Sequence, residues 1–403
     1  MGHPGAFSGA WFVGRIEIES FRIRNDSTKL TRMTSSRQAA GSPARRVTLA
    51  DVARLAGVST STVSIAFGEG GPVSDAMRLR VHAAAAELGY TGPDPRAASL
   101  RRGRSGLIGV VLEERLGEAF RDPVRISLLD GIAEEVGAAG SGLALLGDVA
   151  AGPLSIATAP VDAVILFGCS TGTLDSIEQA RRRGLPLVEL EGRVESDVFA
   201  VDSDNRGASR AAAQHLYDLG HRRVATLTLP LDRPRVHRAL AAADPVPGHN
   251  FVAVERLLGV REVFPEAHTI VCAASLVEEG RVAGHELLGG ADAPRYGEGG
   301  ACAASARPTA IIAQSDLLAL GMIRAAGELG LRVPADVSVI GFDGIRLDGL
   351  SDRDLSTMIQ PAQEKGRAAG RAALALVAGE QPERLRYHSV LHAGDTTGPV
   401  PDP

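Results

Sequence analysis

Eight short apolar runs alternate with longer amphipathic segments over most of the chain, and this alternation constrains the fold more than any other feature. The runs occupy residues 107–112, 143–146, 161–167, 186–190, 224–229, 269–272, 310–313 and 337–342. Segments with helical periodicity lie between most of them, at residues 124–139, 173–183, 204–219, 276–288 and 316–329. Strands that are apolar on both faces and separated by helices predict βαβ units with parallel sheets. Eight or more such strands are more than a single open sheet usually contains, so we expect two lobes.

The segment before these runs has a different composition. Residues 1–44 show no sustained hydrophobic period and contain many glycine, serine and proline residues, which predicts a disordered leader. A second interpretation is that the natural chain starts at Met33 and that residues 1–32 are not translated.

Three short helices are predicted after the leader. Thr48, Ser59 and Ser74 each precede an apolar helical pattern and are residue types that cap helix N-termini. Asp51 follows Thr48 by three residues and completes a variant of the capping box. The first two helices, over residues 48–67, are joined by a short glycine turn and have helix-turn-helix dimensions.

Charge is divided unevenly along the chain, whose net charge is −5. Residues 1–44 hold 6 basic against 3 acidic side chains and residues 45–106 hold 9 against 5, whereas residues 107–403 hold 28 against 40. One interpretation is a chance fluctuation on a solvated surface. The other is that the basic N-terminal part binds a polyanion while the acidic body repels it.

Several function classes are excluded by the sequence. No unbroken apolar run reaches the length of about 18 residues that a membrane span needs. The first 30 residues lack the apolar stretch of a signal peptide, and Cys169, Cys272 and Cys302 lie far apart without a CxxC pair. These features predict a reducing, cytoplasmic location. No P-loop, no GxGxxG after a strand and no HExxH occurs, so we expect no cofactor and no metal site.

One motif suggests an enzyme. Gly168, Ser170 and Gly172 form a GxSxG pattern between a predicted strand and a predicted helix, as in the nucleophile elbow of an α/β-hydrolase. No acid and histidine can be paired with Ser170 by motif, so the hydrolase interpretation is only an alternative.

Eight blocks of sequence resemble those of one protein family and follow the family's order. They read VTLADVARLAGVSTSTVS at residues 47–64, VSDAMRLRVHAAAAELGY at 73–90, GPDPRAASLRRGRSGLIGVV at 92–111, DNRGA at 204–208, LGHRRV at 219–224, ERLLGV at 255–260, RPTAIIAQSDLLALG at 307–321 and LRVPADVSVIGFDG at 331–344. On these blocks the chain resembles the lactose-repressor (LacI) family of bacterial transcription regulators from about Val47 to Gly398.

The resemblance implies a three-helix helix-turn-helix head and a two-lobed α/β body of parallel sheets flanked by helices, similar to periplasmic binding proteins. The expected segments are a head at residues 45–91, a hinge helix or linker at 92–105, a body at 106–398 and a tail at 399–403. One lobe is expected at about residues 106–200 and 361–388, and the other at about 201–360 and 389–398.

The second helix is the recognition helix that the resemblance implies. Its residues Thr60, Ser61, Thr62 and Ile65 would face base edges in the major groove of double-stranded DNA. Capping or packing explains Thr62 equally well. The family often has a basic residue where this chain has Ile65, so the usual half-site of the operator is not expected here.

Phosphate and hinge contacts are implied for further residues. Phosphates would be bound by Arg45, Arg46 and Arg78 and by the helix N-termini at Thr48, Ser59 and Ser74, although plain solvated surface explains each of them equally well. In the hinge, Ala97 would pack against its partner and Leu100 would enter a minor-groove step. One head makes few base contacts, so a homodimer on a palindromic operator is expected.

The resemblance places an effector site at Arg256, Ser315, Asp316 and Asp343. Arginine donors and carboxylate acceptors can bind the neighbouring hydroxyls of a sugar or sugar derivative. A helix N-cap explains Asp316 equally well, and an inter-lobe ion pair is the alternative for Arg256. The resemblance thus predicts a repressor whose operator affinity is controlled by a small polar effector. The rival interpretations are a hydrolase that uses Ser170 and a sugar-binding protein without DNA activity.

Overall fold

The computed structural model describes residues 47–68, 72–92, 103–112, 120–147, 155–167, 172–192, 198–232, 235–248, 250–289, 307–346 and 352–401. The chain divides into two compact units, residues 1–93 and 94–403.

The first unit contains three helices: α1 at Leu49–Ala56, α2 at Thr60–Ala66 and α3 at Asp75–Glu87. Gly57 ends α1 in the left-handed conformation (φ 64°), which glycine adopts without steric cost. One apolar cluster joins the three helices, with a buried centre of Val52, Ala53, Ala56, Val63, Ala66, Val81, Ala84 and Ala85. The predicted helix-turn-helix head is confirmed.

The second unit contains two sheets. The first has the strand order β12-β5-β4-β3-β1-β2, and all its pairs are parallel. Its strands are β1 at Leu107–Leu112, β2 at Gly142–Gly147, β3 at Ala163–Phe167, β4 at Leu187–Leu190, β5 at Phe199–Ser203 and β12 at Leu385–Tyr387. Its helices are α4 at Pro123–Ala138, α5 at Gly172–Arg182 and α10 at Ala362–Ala378.

The second sheet has the order β13-β11-β10-β9-β6-β8-β7, in which the two edge strands are antiparallel to their neighbours. Its strands are β6 at Val224–Thr228, β7 at Arg238–Leu240, β8 at His268–Val271, β9 at Ala310–Ala313, β10 at Ser338–Asp343, β11 at Thr357–Ile359 and β13 at Val390–His392. Its helices are α6 at Asn205–Asp218, α7 at Phe251–Arg261, α8 at Val277–Leu288 and α9 at Asp316–Glu328.

The chain passes between the two sheets three times: after β5, after β11 and after β12. The lobe boundary predicted near residue 200 falls inside β5, because residues 199–203 pair with β4 and β12 of the first sheet. The crossing therefore follows Ser203. The predicted architecture of two lobes with parallel sheets flanked by helices is confirmed.

Both faces of each sheet are covered, as the unbroken apolar runs predict. In β1, for example, Val110 and Leu112 belong to the cluster that packs on α4 and α10, whereas Val111 belongs to the cluster on the opposite face. Within the described residues, no helix is long and apolar enough to cross a membrane.

Candidate functional site

The helix starts of the first unit are fixed by short-range hydrogen bonds. The backbone N–H and the hydroxyl of Thr48 both donate to the Asp51 carboxylate, at 3.0 and 2.7 Å. The Ser59 hydroxyl accepts from the Thr62 N–H at 3.1 Å, and the Ser74 hydroxyl accepts from the Met77 N–H at 3.4 Å. These bonds satisfy N–H groups that a helix leaves unpaired.

The outer surface of α2 is short and polar. Thr60 and Ser61 are exposed, whereas Thr62 and Ile65 are half-buried. The Thr62 hydroxyl lies 2.8 Å from the Ser59 hydroxyl, so it contributes to the cap as the alternative interpretation expected. Of the four side chains predicted to face DNA bases, Thr60 and Ser61 are therefore the two that are exposed to solvent.

Arg78 has a structural role inside the head. One of its terminal guanidinium nitrogens donates to the carbonyl oxygens of Ala66 and Gly68, at 2.6 and 3.1 Å. Ala66 is the last residue of α2 and Gly68 follows it by two residues, so neither carbonyl has a partner within the helix. Arg78 therefore links α3 to the end of α2, a role that its sequence pattern did not indicate.

Several predicted residues lie outside the described part of the chain. These are Arg45 and Arg46, the hinge residues Ala97 and Leu100, and Ser170 of the GxSxG motif.

The four predicted effector residues meet at the carboxyl ends of β9 and β10. Ser315 and Asp316 follow β9 at the start of α9, Asp343 is the last residue of β10, and Arg256 reaches this edge from α7. Ligands of parallel α/β sheets bind at this edge.

Asp316 is held by the loop that follows β10 and by the first residue of β11. Its carboxylate accepts from the Thr357 hydroxyl at 2.6 Å and from the backbone N–H of Ile345 at 2.8 Å. Burial raises the pKa of Asp316 to about 6, against the effect of these hydrogen bonds. The N-cap of α9 is Ser315, whose hydroxyl accepts from Leu318 at 3.3 Å, so the N-cap interpretation of Asp316 is wrong by one residue.

Arg256 is 3% exposed and is surrounded by partners. Its guanidinium donates to the Gln314 carbonyl at 2.6 Å, to the Asn205 side chain at 2.9 Å and to Asp343 at 3.4 Å. It also stacks 3.5 Å from the centre of the Phe342 ring. Asp343 belongs to the same lobe, so this ion pair does not by itself join the lobes as the alternative interpretation expected.

Six side chains link the two lobes through a closed chain of hydrogen bonds, here called the interlobe ring. From Arg256 the ring passes through Asn205 to Glu191 (3.0 Å), on to Lys365, to Gln360 (2.6 Å), to Asp343 (2.6 Å) and back to Arg256. Glu191 follows β4 and Lys365 lies on α10, so both belong to the first lobe. Asn205 and Gln360 stand at two of the crossings.

Two members of the ring have an unusual backbone conformation. Glu191 and Asp343 have φ of 63° and 118°, and they are the only non-glycine residues with positive φ among those the structure describes. Such conformations cost about 1–3 kcal/mol each and cluster at functional sites. Burial raises the pKa of Asp343 well above its ordinary value, and the Arg256 guanidinium opposes this shift.

The sequence did not predict the ring residues Glu191, Asn205, Gln360 and Lys365. Lys365 had one available signal, because it and Lys29 are the only lysines of the chain and it lies in a helix that is rich in alanine. Its side chain is fully buried. A buried lysine needs a partner, which points to an acidic neighbour but not to Glu191 in particular.

Comparisons with known proteins agree with both units. Residues 48–92 match the model of bacterial regulatory proteins of the lacI family, and residues 213–397 match the model of a periplasmic binding protein-like domain. An HTH-type transcriptional regulator of Mycolicibacterium smegmatis is 35% identical over 345 residues, which cover 81% of this chain and 90% of the relative.

Two further proteins are similar over nearly their full lengths. The HTH-type transcriptional regulator IpsA of Corynebacterium glutamicum is 33% identical over 371 residues, which cover 88% of this chain and 98% of the relative. A solved structure of the transcriptional regulator CelR in complex with cellobiose has a TM-score of 0.57 and 27% identity, covering 87% of this chain and all of that one. These proteins are named as regulators, which confirms the expectation that the chain is not an enzyme.

Proposed function

Because the chain belongs to the lacI family of bacterial regulatory proteins, we propose that it is a homodimeric repressor of transcription in the cytoplasm whose operator affinity is controlled by a sugar-like effector bound between its lobes. The observation that carries this proposal is the interlobe ring, which joins both lobes through the residues assigned to the effector site.

The head would read DNA through α2. Thr60 and Ser61 are exposed at its N-terminal end, and their hydroxyls can bond to several bases in the major groove. Short side chains discriminate only modestly between DNA bases, so two heads on a palindromic operator would be needed for specificity. Hinge residues Ala97 and Leu100 would add a minor-groove contact on each half-site.

The effector cleft has the chemistry for a polyhydroxylated ligand. Arg256 supplies donors, and Asp343 and Asp316 supply acceptors at one sheet edge. CelR was solved with cellobiose, which supports a carbohydrate rather than a flat apolar ligand. Aromatic residues make up only 4% of the chain, so hydrogen bonds would contribute more to recognition than ring stacking.

The ring explains how a ligand could change the arrangement of the lobes. Hydroxyl groups that bond to Asp343 or Arg256 compete with Gln360 and Asn205, which stand at the crossings. A ligand shifts a conformational equilibrium only through its different affinity for the two states, and exchange of ring bonds supplies such a difference. Couplings of this kind typically change affinity about 5–150-fold.

The test uses the full-length protein and an operator selected from random duplexes. A panel of sugars and sugar acids is screened by thermal shift, and each hit is added to a fluorescence-anisotropy titration of the operator at fixed salt. We expect at least one hit to change operator affinity by 5-fold or more. A reporter under this operator should be expressed more strongly when the gene for the protein is deleted.

Asp343→Asn separates effector binding from folding. The amide keeps an oxygen that can accept from Gln360 and Arg256 but loses the negative charge. We expect this variant to bind the operator as the wild type does and to ignore the effector. Asp336→Asn, which removes a half-buried carboxylate paired with Arg332 outside the effector site, is the matched control and should respond normally. A normal response of Asp343→Asn would contradict the assigned site.

A further inference from the structure

A second cluster of functional side chains lies in the second lobe, apart from the interlobe ring. His237, Cys272 and Glu279 each offer one ligand atom, and these atoms lie within 4.8 Å of one another. His237 immediately precedes β7, Cys272 immediately follows β8, and Glu279 is the third residue of α8. From these positions we propose that the lobe binds one Zn²⁺ ion through His237, Cys272 and Glu279.

The donor set suits zinc. Imidazole nitrogen, thiolate sulfur and carboxylate oxygen are the three ligand types that zinc accepts, and a thiolate disfavours magnesium and calcium. With bonds of about 2.0–2.3 Å the ligand atoms of a tetrahedral ion lie roughly 3.3–3.8 Å apart, so the cluster must contract by about 1 Å. Side-chain rotation of His237, which is partly exposed, can supply this movement.

Neighbouring groups already orient the ligands. One nitrogen of His237, Nδ1, lies 3.4 Å from Glu279, and the other, Nε2, lies 3.1 Å from Glu286. With Nδ1 on the metal, Nε2–H would donate to Glu286, which is the usual arrangement of a carboxylate behind a metal-bound histidine. The Ala273 N–H donates to Glu279 at 2.8 Å and fixes that carboxylate.

Electrostatics in the cluster favour a cation. The pKa of His237 is raised to about 9 because Glu279 and Glu286 both accept hydrogen bonds from its ring. Without metal, a proton on His237 therefore balances the two carboxylates. Zinc would replace this proton and the thiol proton of Cys272, both of which pass to the solvent. The partly exposed side of His237 and Glu279 gives the ion a path to the buried sulfur.

The site would connect distant parts of the lobe. Residues 237, 272 and 279 lie on two strand ends and one helix, so their spacing matches no metal motif of the kind a sequence reveals. The loop after Cys272 also reaches the effector edge, because the Ser275 hydroxyl donates to that of Ser315 at 2.9 Å. The proposal rests on the cluster alone and does not depend on the identity of the effector.

The experiment uses full-length protein from which any tag has been cleaved. After dialysis against Zn²⁺ and then metal-free buffer, elemental analysis should give one zinc per chain. Titration with Co²⁺ should give a thiolate-to-cobalt charge-transfer band that zinc abolishes. The double variant Cys169→Ser/Cys302→Ser should keep both properties, since only Cys272 is proposed as a ligand.

Variants of the cluster decide the result. Cys272→Ala should lose the charge-transfer band and His237→Gln should lose stoichiometric zinc, whereas Glu286→Gln should weaken binding about 10–100-fold. His285→Gln, next to Glu286 but bonded to the exposed Glu328, is the matched control and should bind normally. If Cys272→Ala fails to fold, the other two variants still discriminate. The proposal is overturned by wild-type protein without a cobalt–thiolate band, or by zinc binding that is unchanged in Cys272→Ala or His237→Gln, which would indicate an adventitious ion only.

Discussion

Replacing Gly321 by alanine tests the close contact between α8 and α9. A Cβ atom at this position would overlap the carbonyl oxygen of Val277 and lie 2.5 Å from the backbone nitrogen of Arg281. Gly280 has the reciprocal relation to the backbone of Leu318. The two helices are therefore in backbone contact, which only residues without a side chain allow.

The size of the effect follows from these distances. Ordinary van der Waals contacts of a Cβ begin at 3.4 Å, so the helices must separate by about 1 Å. Such overpacking costs about 1–3 kcal/mol, and the upper value applies because backbone atoms cannot turn away. Alanine gains about 1 kcal/mol over glycine in helix propensity. We therefore expect the free energy of unfolding to fall by about 2 kcal/mol in Gly321→Ala.

Gly327→Ala is the matched control in the same helix. A Cβ atom at Gly327 meets nothing within 4 Å, so only the helix propensity changes. We expect this variant to be about 1 kcal/mol more stable than the wild type. The two variants should thus shift stability in opposite directions.

Thermal unfolding followed by calorimetry measures both shifts. For a unit of this size 1 kcal/mol corresponds to roughly 2 °C in Tm, so we expect about −4 °C for Gly321→Ala and about +2 °C for Gly327→Ala. Equal shifts of the same sign in the two variants would refute the assignment of a tight α8–α9 contact.

Three further predictions concern the head, the ring and the pH dependence of stability. Arg78→Met removes the bonds to the carbonyls of Ala66 and Gly68 and should destabilise the head by about 1–2 kcal/mol. Hydrogen exchange in α2 should become faster and operator binding weaker. The control Arg80→Met should leave hydrogen exchange unchanged. Lys365→Met should lower the free energy of unfolding, measured in urea, by about 3–5 kcal/mol because Glu191 loses its buried cation. The control Arg367→Met breaks ion pairs near the surface and should lower it by under about 1 kcal/mol. Burial lowers the pKa of His221 below 6.5, so the unfolded chain binds a proton that the folded chain does not. The free energy of unfolding should therefore fall as the pH drops below about 6.5. His221→Gln should make this dependence of the free energy of unfolding on pH less steep.

Local features of the fold were predictable because they depend on neighbours in sequence. The caps at Ser59 and Ser74 involve partners three residues away, and the eight apolar runs correspond to strands. The short strands β7, β11, β12 and β13 were not predicted, since three-residue segments carry too little periodicity, and the five-residue strand β5 was missed as well. The helices α7 and α10 were also missed, and in α10 two interior glycines obscure the pattern.

The site was predictable only in part. The family resemblance named Arg256, Ser315, Asp316 and Asp343, and these residues do meet at one sheet edge. It left open which of Ser315 and Asp316 caps α9, because both residue types cap helices and the two positions are adjacent. Nor could it show that the Arg78 guanidinium bonds to the end of α2.

By itself, the sequence determined the two kinds of unit and the order of most strands and helices, because hydrophobic periodicity and capping act over a few residues. The residues of the candidate effector site came from the family resemblance. Only the tertiary structure decided which polar groups become partners. Lys365 meets Glu191 across 174 positions and His237 meets Glu279 across 42. Burial makes a partner for Lys365 energetically necessary, but the local sequence does not specify which residue that partner is.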